Sequence, residues 1–238
     1  MAIDEAIFLH YNDFKVNTIR LYGWEPSTVS IGRNQAINDE VQVDFADNNN
    51  IDIVRRISGG GTVFHDSIGE ITYSVILTKD LLLSKGIEAS YYEISNLIFF
   101  HLNSIGLNFE QNAIHCPSLF IKGKKISGGA QARSNNVILQ HGTILVDFRP
   151  ELMYQVLKAK PGKSSKQMVQ SVFQYVTSLS AEKGEKISVL KINSILEKSI
   201  LSNFPFSINK AKLFAKETKT AKLIEKEKYL NPDWTFKM

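Results

Sequence analysis

The sequence predicts an α+β protein with a mixed or antiparallel central β-sheet flanked by helices. Three observations predict it. Strand-like alternation dominates residues 18–146, helical periodicity takes over beyond Pro150, and a triple-glycine turn, Gly59-Gly60-Gly61, separates two strand-like runs. At 238 residues the chain is long enough for one core, so residues 1–238 read as one unit, with the helical segment from about 150 to 238 packed on the strands.

The elements follow in order. Ile3, Ala6, Ile7 and His10 recur at helical spacing. Thr18-Ile19-Arg20-Leu21-Tyr22 alternates as a strand, Trp24-Glu25-Pro26-Ser27 turns, and Thr28-Val29-Ser30-Ile31-Gly32 is expected to return beside it as the second member of a strand pair. Gly32-Arg33-Asn34-Gln35 closes that strand. Ile51-Asp52-Ile53-Val54 is an apolar strand before the glycines, and Ile71-Thr72-Tyr73-Ser74-Val75-Ile76-Leu77 alternates after them.

From Ser90 the apolar residues Tyr91, Ile94, Leu97, Ile98, Leu102 and Ile105 mark a helix with one buried face, and Gly106 stops it as a C-terminal cap. Residues 119–121, 124–133 and 137–146 read as a meander with a turn at Ser134-Asn135-Asn136. Lys125 opens its middle strand, and His141 and Thr143, two apart on the last, share a face. Helical spacing then covers 152–157, 186–201 and about 209–229; the basic stretch 160–166 reads as a loop, either a linker or a flap.

Composition excludes several classes. Apolar residues make up 43% and charged residues 22%, the balance of a folded globular protein rather than a disordered one. A net charge of +4 is too small for a dedicated nucleic-acid binder, and the lysines between 210 and 228 read as a solvated face or a dock for an acidic protein. No apolar run is long enough for a bilayer and the first residues do not resemble a secretion signal, so the expectation is a cytoplasmic protein without membrane or nucleic-acid partners. One cysteine, Cys116, excludes an internal disulfide and a multi-cysteine zinc site; it is either inert or chemically special.

Arg55-Arg56-Ile57-Ser58-Gly59-Gly60-Gly61-Thr62-Val63-Phe64-His65-Asp66 is the stretch richest in chemistry. Three glycines give access to positive φ and bring backbone N–H groups close to a ligand, and such a loop can cradle an anion. Arginines on one side and a His-Asp pair on the other add cationic and proton-handling groups. No Gly-Lys-Ser/Thr and no helix pattern follows, so neither the P-loop nor the dinucleotide fingerprint applies.

That stretch, with Lys124-Lys125-Ile126-Ser127-Gly128-Gly129-Ala130-Gln131 and Gln140-His141-Gly142-Thr143-Ile144-Leu145, resembles the catalytic domain of the lipoate-protein ligase A family. A weaker likeness runs from Met1 to about Asp147 and returns at Lys228-Tyr229 and Trp234. The resemblance implies the biotin/lipoate protein ligase catalytic-domain fold and an ATP-dependent lipoate-protein ligase. Lipoic acid would be activated to lipoyl-AMP and passed to a lysine of a lipoyl-domain protein, such as a 2-oxoacid dehydrogenase E2 or a glycine-cleavage H protein. Adenylation needs donors around a phosphate, a cation at the attacked carboxyl and a dry pocket.

Carried over by position, Ser58, Gly59, Gly60, Gly61, Thr62 and Val63 would cradle the phosphate, with Arg56 and His65 bordering it. Lys125 is the catalytic residue, bridging acyl carboxyl and phosphate, since a compact ammonium approaches both oxygens. Ser127, Gly128, Gly129, Ala130, His141, Gly142 and Thr143 would complete the nucleotide site, while Arg33 and Gln35 would either shape the acyl pocket or simply close a strand. Asp66 would orient His65 or help to hold a metal. ATP implies Mg²⁺, although no metal-ligand set is visible in the sequence. Similarity to the short form, which ends before the accessory domain of the long ligases, implies a separate small accessory subunit.

A rival reading rests on Cys116. Related cysteine-dependent octanoyltransferases carry a nucleophile close to this position, and Gly-x-Ala-Gln-x-Arg followed by Ile-Leu-Gln-His-Gly resembles them as well. Cys116 would take an octanoyl chain from an acyl-carrier protein as a thioester, Lys125 would polarise the carbonyl, and no ATP would be used. With the Pro-Ser pairs aligned, Cys116 falls a few residues late. The third glycine favours the ligase, because those transferases place a bulkier residue where Gly61 stands. A biotin-protein ligase would share the fold, but its Gly-Arg-Gly-Arg loop is missing.

Overall fold

The computed structural model describes residues 1–83, 86–112, 118–159, 162 and 164–237. The chain opens with α1 (Ala2–Phe14), β1 (Thr18–Tyr22), β2 (Thr28–Ile31), α2 (Ile37–Glu40) and α3 (Val43–Asn48). Next come β3 (Asp52–Arg55), β4 (Val63–His65), β5 (Glu70–Thr78) and α4 (Ile87–Phe99). The meander is β6 (Glu110–Asn112), β7 (Ser118–Ile121), β8 (Lys124–Ser134) and β9 (Val137–Leu145). Helices α5 (Pro150–Val156), α6 (Ser165–Tyr175), α7 (Leu179–Lys183), α8 (Val189–Asn203), α9 (Ala215–Ile224) and α10 (Pro232–Thr235) complete it.

Two sheets carry the architecture. The larger has the order β1-β5-β9-β8-β7-β6 and is antiparallel throughout; the smaller has the order β3-β2-β4, with β2 parallel to β3 and antiparallel to β4. Period-two alternation explains why β5 is buried on both faces. Tyr73, Val75 and Leu77 meet α4 and α8 through Ile94, Ile98, Ile192 and Leu196. Ile76, pointing the other way, meets Ile7 and Tyr11 of α1. Each such aliphatic side chain contributes about 1.5–3 kcal/mol of transfer free energy. The smaller sheet has its own core, where Val29, Ile31 and Phe64 pack with Ile37, Ala46 and Val156.

The α+β class, the meander and the first helix stand as expected, but three local expectations are corrected. β1 and β2 do not pair: β1 lies against β5, while β2 is the central strand of the smaller sheet, where Val29 and Ile31 pack with Ile37, Ala46 and Val156. The stretch 160–166 is not all loop. Ser164 caps α6 in a capping box with Gln167, worth about 1 kcal/mol, so Ser165 and Lys166 are already helical. The last helix starts later than expected, at Ala215, where the Glu217 carboxylate accepts from the Phe214 N–H. Among the described residues, no helix is long and apolar enough to cross a membrane.

Candidate active site

The smaller sheet and the β8–β9 face of the larger one enclose a cavity of about 390 Å³. One wall is the glycine loop joining β3 to β4, through Gly60, Gly61, Thr62 and Val63; the other is Lys125, Ser127 to Ala130 and His141 to Thr143. Met153 and Tyr154 of α5 close one side. The loop and Lys125 therefore face each other across one slot.

The loop is fixed by backbone and by arginine. Of the three glycines, Gly60 is the one that uses the access to positive φ, at +93°. Gly32 lies so close beneath it that a Cβ there would fall 2.0 Å from the Gly60 carbonyl oxygen. Arg33 N–H donates to the Ser58 carbonyl at 2.9 Å. Arg56, expected beside a bound phosphate, is buried and directs its guanidinium at the protein: Nη1 donates to the Ser30 carbonyl (2.9 Å) and hydroxyl (3.1 Å), and Nη2 to the carbonyls of Gly59 (2.9 Å) and Gly61 (2.6 Å). Those carbonyls hold the cation because an unmatched buried guanidinium would be far costlier than a hydrogen-bonded one. Arg56 thus shapes the loop from inside.

Lys125 is placed by an irregularity. Leu119 pairs with Ser127 but Phe120 pairs with Lys125, so Ile126 is one extra residue in β8, and a bulge of this kind re-aims the neighbouring side chain. The Lys125 carbonyl accepts from Thr177 N–H at 3.0 Å, anchoring the bulge to the segment after α6. Its Cε and Nζ lie over Gly128, where a Cβ would come within 3.1 Å of both.

The histidines occupy buried, differently wired positions. His65 Nε2 is 2.7 Å from Ser30 Oγ, its Nδ1 is 2.7 Å from Glu70 Oε1, and the Trp24 ring stacks on it at 4.2 Å. Trp24 Nε1 donates to Thr72 Oγ1, which donates to the same Glu70 oxygen. His141 Nε2 is 2.6 Å from Ser58 Oγ, tying β9 to the glycine loop. Burial pushes its pKa down to about 4, partly opposed by Asp4, so the ring is neutral at pH 7. Among the described residues, His141 Nδ1 and Glu70 Oε2 have no hydrogen-bond partner. Asp66, expected to orient His65 or to help hold a metal, instead binds the Arg149 guanidinium through both oxygens at 2.7 and 2.6 Å; Glu70 is the group that orients His65.

Gly60, Gly61, Thr62, Val63, His65, Lys125, Ser127, Gly128, Gly129, Ala130, His141, Gly142 and Thr143 all line the one cavity, together with Arg56. Arg33 and Gln35 do not. Arg33 is exposed, and Gln35 Oε1 accepts from Gly32 N–H at 2.8 Å, stapling the strand end. Ser58 acts through His141, and Gly59 through Arg56. Cys116 lies outside the described residues. Among the described residues no three His, Cys, Asp or Glu side chains stand close enough to hold a metal ion. The loop, Lys125 and His141 line the cavity as a nucleotide site would need, but the Arg56 guanidinium is turned to the loop carbonyls.

Sequence reasoning missed Trp24, Ser30, Glu70 and Tyr154. Ser30 carries a weak signal, a polar residue between the apolar Val29 and Ile31 of a buried strand; Glu70 carries none, since its partner lies on another sheet. Lys228, Tyr229 and Trp234 were expected to matter. Lys228 and Tyr229 bind the Glu5 carboxylate, each at 2.7 Å, and Trp234 Nε1 donates to the Arg55 carbonyl at 2.8 Å. Arg55, 0% exposed, reaches six backbone carbonyls: those of Gly32, Arg33 and Gln35 on one side, Trp234, Thr235 and Lys237 on the other.

Residues 1–201 match the family model described as the lipoyl protein ligase A/B catalytic domain. The chain is 33% identical to octanoyltransferase LipM of Clostridioides difficile over 259 residues, covering 100% of this chain and 93% of that protein. It is 29% identical to octanoyltransferase LipM of Brevibacillus brevis, covering 100% and 94%. Among solved structures, a bipartite lipoate protein ligase from Thermoplasma acidophilum, studied with its E2 lipoyl domain, superposes with a TM-score of 0.86 at 24% identity, covering 99% of this chain and 89% of that one. A lipoate-protein ligase A bound with ATP gives 0.84 at 22%, covering 99% and 92%. At those identities the structures establish the fold. The ATP-dependent ligase expected from the sequence is corrected by the full-length octanoyltransferase relatives. The third glycine misled for a physical reason: a Cβ at Gly61 would meet nothing within 4 Å, so a bulkier residue is accommodated there and the glycine does not separate the two chemistries.

Proposed function

The chain belongs to the lipoyl protein ligase A/B catalytic-domain family, and from that premise we propose that it is a cysteine-dependent octanoyltransferase. It moves octanoyl from an acyl-carrier protein to a lysine of a lipoyl domain through a thioester on Cys116. One structural observation carries the reading. Ser118, two residues after Cys116 in sequence, pairs with Gly128 in the cavity wall, and the strand it opens is the immediate neighbour of the one bearing Lys125.

In the first step the Cys116 thiolate attacks the acyl-carrier thioester, and the carrier thiol leaves. In the second, the acceptor lysine amine attacks the Cys116 thioester, an amide forms and the cysteine thiolate is released. Lys125, facing the loop, donates to the carbonyl oxygen as charge develops on it. Neutral His141 adds no second positive charge to that wall. The cavity, walled by Ile126, Leu145, Met153, Leu157 and Val176 as well as the polar loop, suits a medium alkyl chain. Lipoyl domains such as those of E2 or H proteins are the acceptors proposed; transfer requires neither ATP nor Mg²⁺. We take residues 1–238 as the single unit that performs it.

The test is intact-protein mass spectrometry after mixing with octanoyl-acyl-carrier protein without nucleotide. An octanoyl adduct that maps to Cys116, is discharged onto a lipoyl domain and is lost in Cys116→Ala supports the reading. Octanoyl transfer surviving in Cys116→Ala, or lipoate-dependent ATP–pyrophosphate exchange, overturns it.

A further inference from the structure

Ser30 and His65 in the cavity wall, with Glu70 behind them, form a second set of groups that the transfer does not use. Ser30 Oγ, His65 Nε2, His65 Nδ1 and Glu70 Oε1 form a chain with 2.7 Å at each link. Glu70 accepts from Nδ1–H, which leaves Nε2 as the acceptor of the Ser30 hydroxyl proton. A nucleophile bonded to a base that is itself oriented by a carboxylate is the arrangement by which serine attacks acyl groups.

Three features separate it from an ordinary buried hydrogen bond. Ser30 and His65 both line the acyl cavity although Ser30 is only 1% exposed. Arg56 Nη1 stands 3.1 Å from Ser30 Oγ, a fixed cation that favours the developing alkoxide. Trp24 stacks on the imidazole with an interplanar angle of 18° and is itself held through Thr72, so the ring plane is locked in the orientation that serves Ser30.

We propose that Ser30, His65 and Glu70 form a second nucleophilic centre that hydrolyses medium-chain acyl thioesters in the same cavity. The proposal takes the chemical class of acyl chain from the transferase reading and does not depend on Cys116. Ser30 Oγ bonds to the carbonyl carbon while its proton passes to His65 Nε2; the C–S bond breaks and the thiol leaves with that proton. Water then attacks the ester, giving a proton to Nε2. The acyl–O bond breaks, Ser30 recovers the proton, and the carboxylic acid departs. Such a centre would clear acyl chains that are not passed to a lysine.

The experiment treats the full-length chain with an octyl fluorophosphonate and maps the adduct by peptide sequencing. Labelling of Ser30 is expected in the wild type and in Cys116→Ala alike. His65→Gln, which keeps the ring's approximate volume, slows it at least ~10²-fold, the low end of what a positioned general base contributes. Hydrolysis of octanoyl-coenzyme A by Cys116→Ala is expected to fall at least ~10²-fold on adding Ser30→Ala. No adduct at Ser30 in the wild type, a measurement needing no variant, overturns the proposal, as does hydrolysis unaffected by Ser30→Ala. Absence of octanoyl transfer with Ser30 still labelled would overturn the transferase reading alone.

Discussion

Gly32 and Gly60 meet backbone to backbone: a Cβ on Gly32 would sit 2.0 Å from the Gly60 carbonyl oxygen, although the two residues are on different turns. The crown of the glycine loop therefore rests on the end of β2. Its height above the slot is set by the absence of one methyl group.

Gly32→Ala should accordingly lift the loop, lowering stability by about 1–3 kcal/mol as overpacking does and reducing transfer together with it. Gly61→Ala, with open space around its Cβ, should leave the urea midpoint unchanged. Denaturation and octanoyl transfer measured on both variants check this. Equal destabilisation of the two would refute the contact.

Lys125→Ala should reduce kcat/KM for octanoyl transfer by about 10²–10³-fold, the usual loss when one oxyanion donor is removed. Its melting temperature should change less than its activity, because the Thr177 N–H still meets the backbone carbonyl of residue 125 in the variant. Steady-state kinetics with a lipoyl-domain acceptor provide the measurement.

His141 predicts a pH dependence of stability. Its folded pKa, about 4, lies below the ordinary histidine value of 6.5, so the unfolded chain binds more protons between those values. The stabilisation is full above about pH 6.5, declines as pH falls towards 4 and is gone below it; the shift corresponds to ~3 kcal/mol at most. Urea unfolding of the wild type should weaken through that window, while His141→Phe should show a flatter profile there. An unchanged slope in the variant would contradict the assignment.

Arg55→Met should cost at least ~2 kcal/mol, since it strips donors from buried carbonyls on both sides of the guanidinium. Trp234→Phe removes one hydrogen bond and should cost about 1 kcal/mol. Chemical denaturation of both variants tests the ordering.

How much of this could be read beforehand depends on how local each cause is. The meander, the turn at Asn135 and the position of Lys125 follow from alternation and turn chemistry within a few residues. The partner of β1 does not, because β5 lies some fifty residues away and the turn at Trp24 to Ser27 serves a change of sheet as readily as a hairpin. For Arg56 the residue type suggested an anion, but its acceptors are carbonyls, which leave no mark in a sequence. Glu70 reaches His65 across the gap between two sheets, so proximity along the chain pointed to Asp66 instead. The choice of transfer over ligation was illegible at Gly61, since the space around that residue is visible only in three dimensions.

The clasp around Arg55 joins residues 180 positions apart. During synthesis the end of β2 must therefore wait for residues 234–237 to leave the ribosome, and a chain cut just short of them would leave one buried guanidinium with half of its carbonyl acceptors missing. Truncated copies are thus marked for unfolding by their own interior.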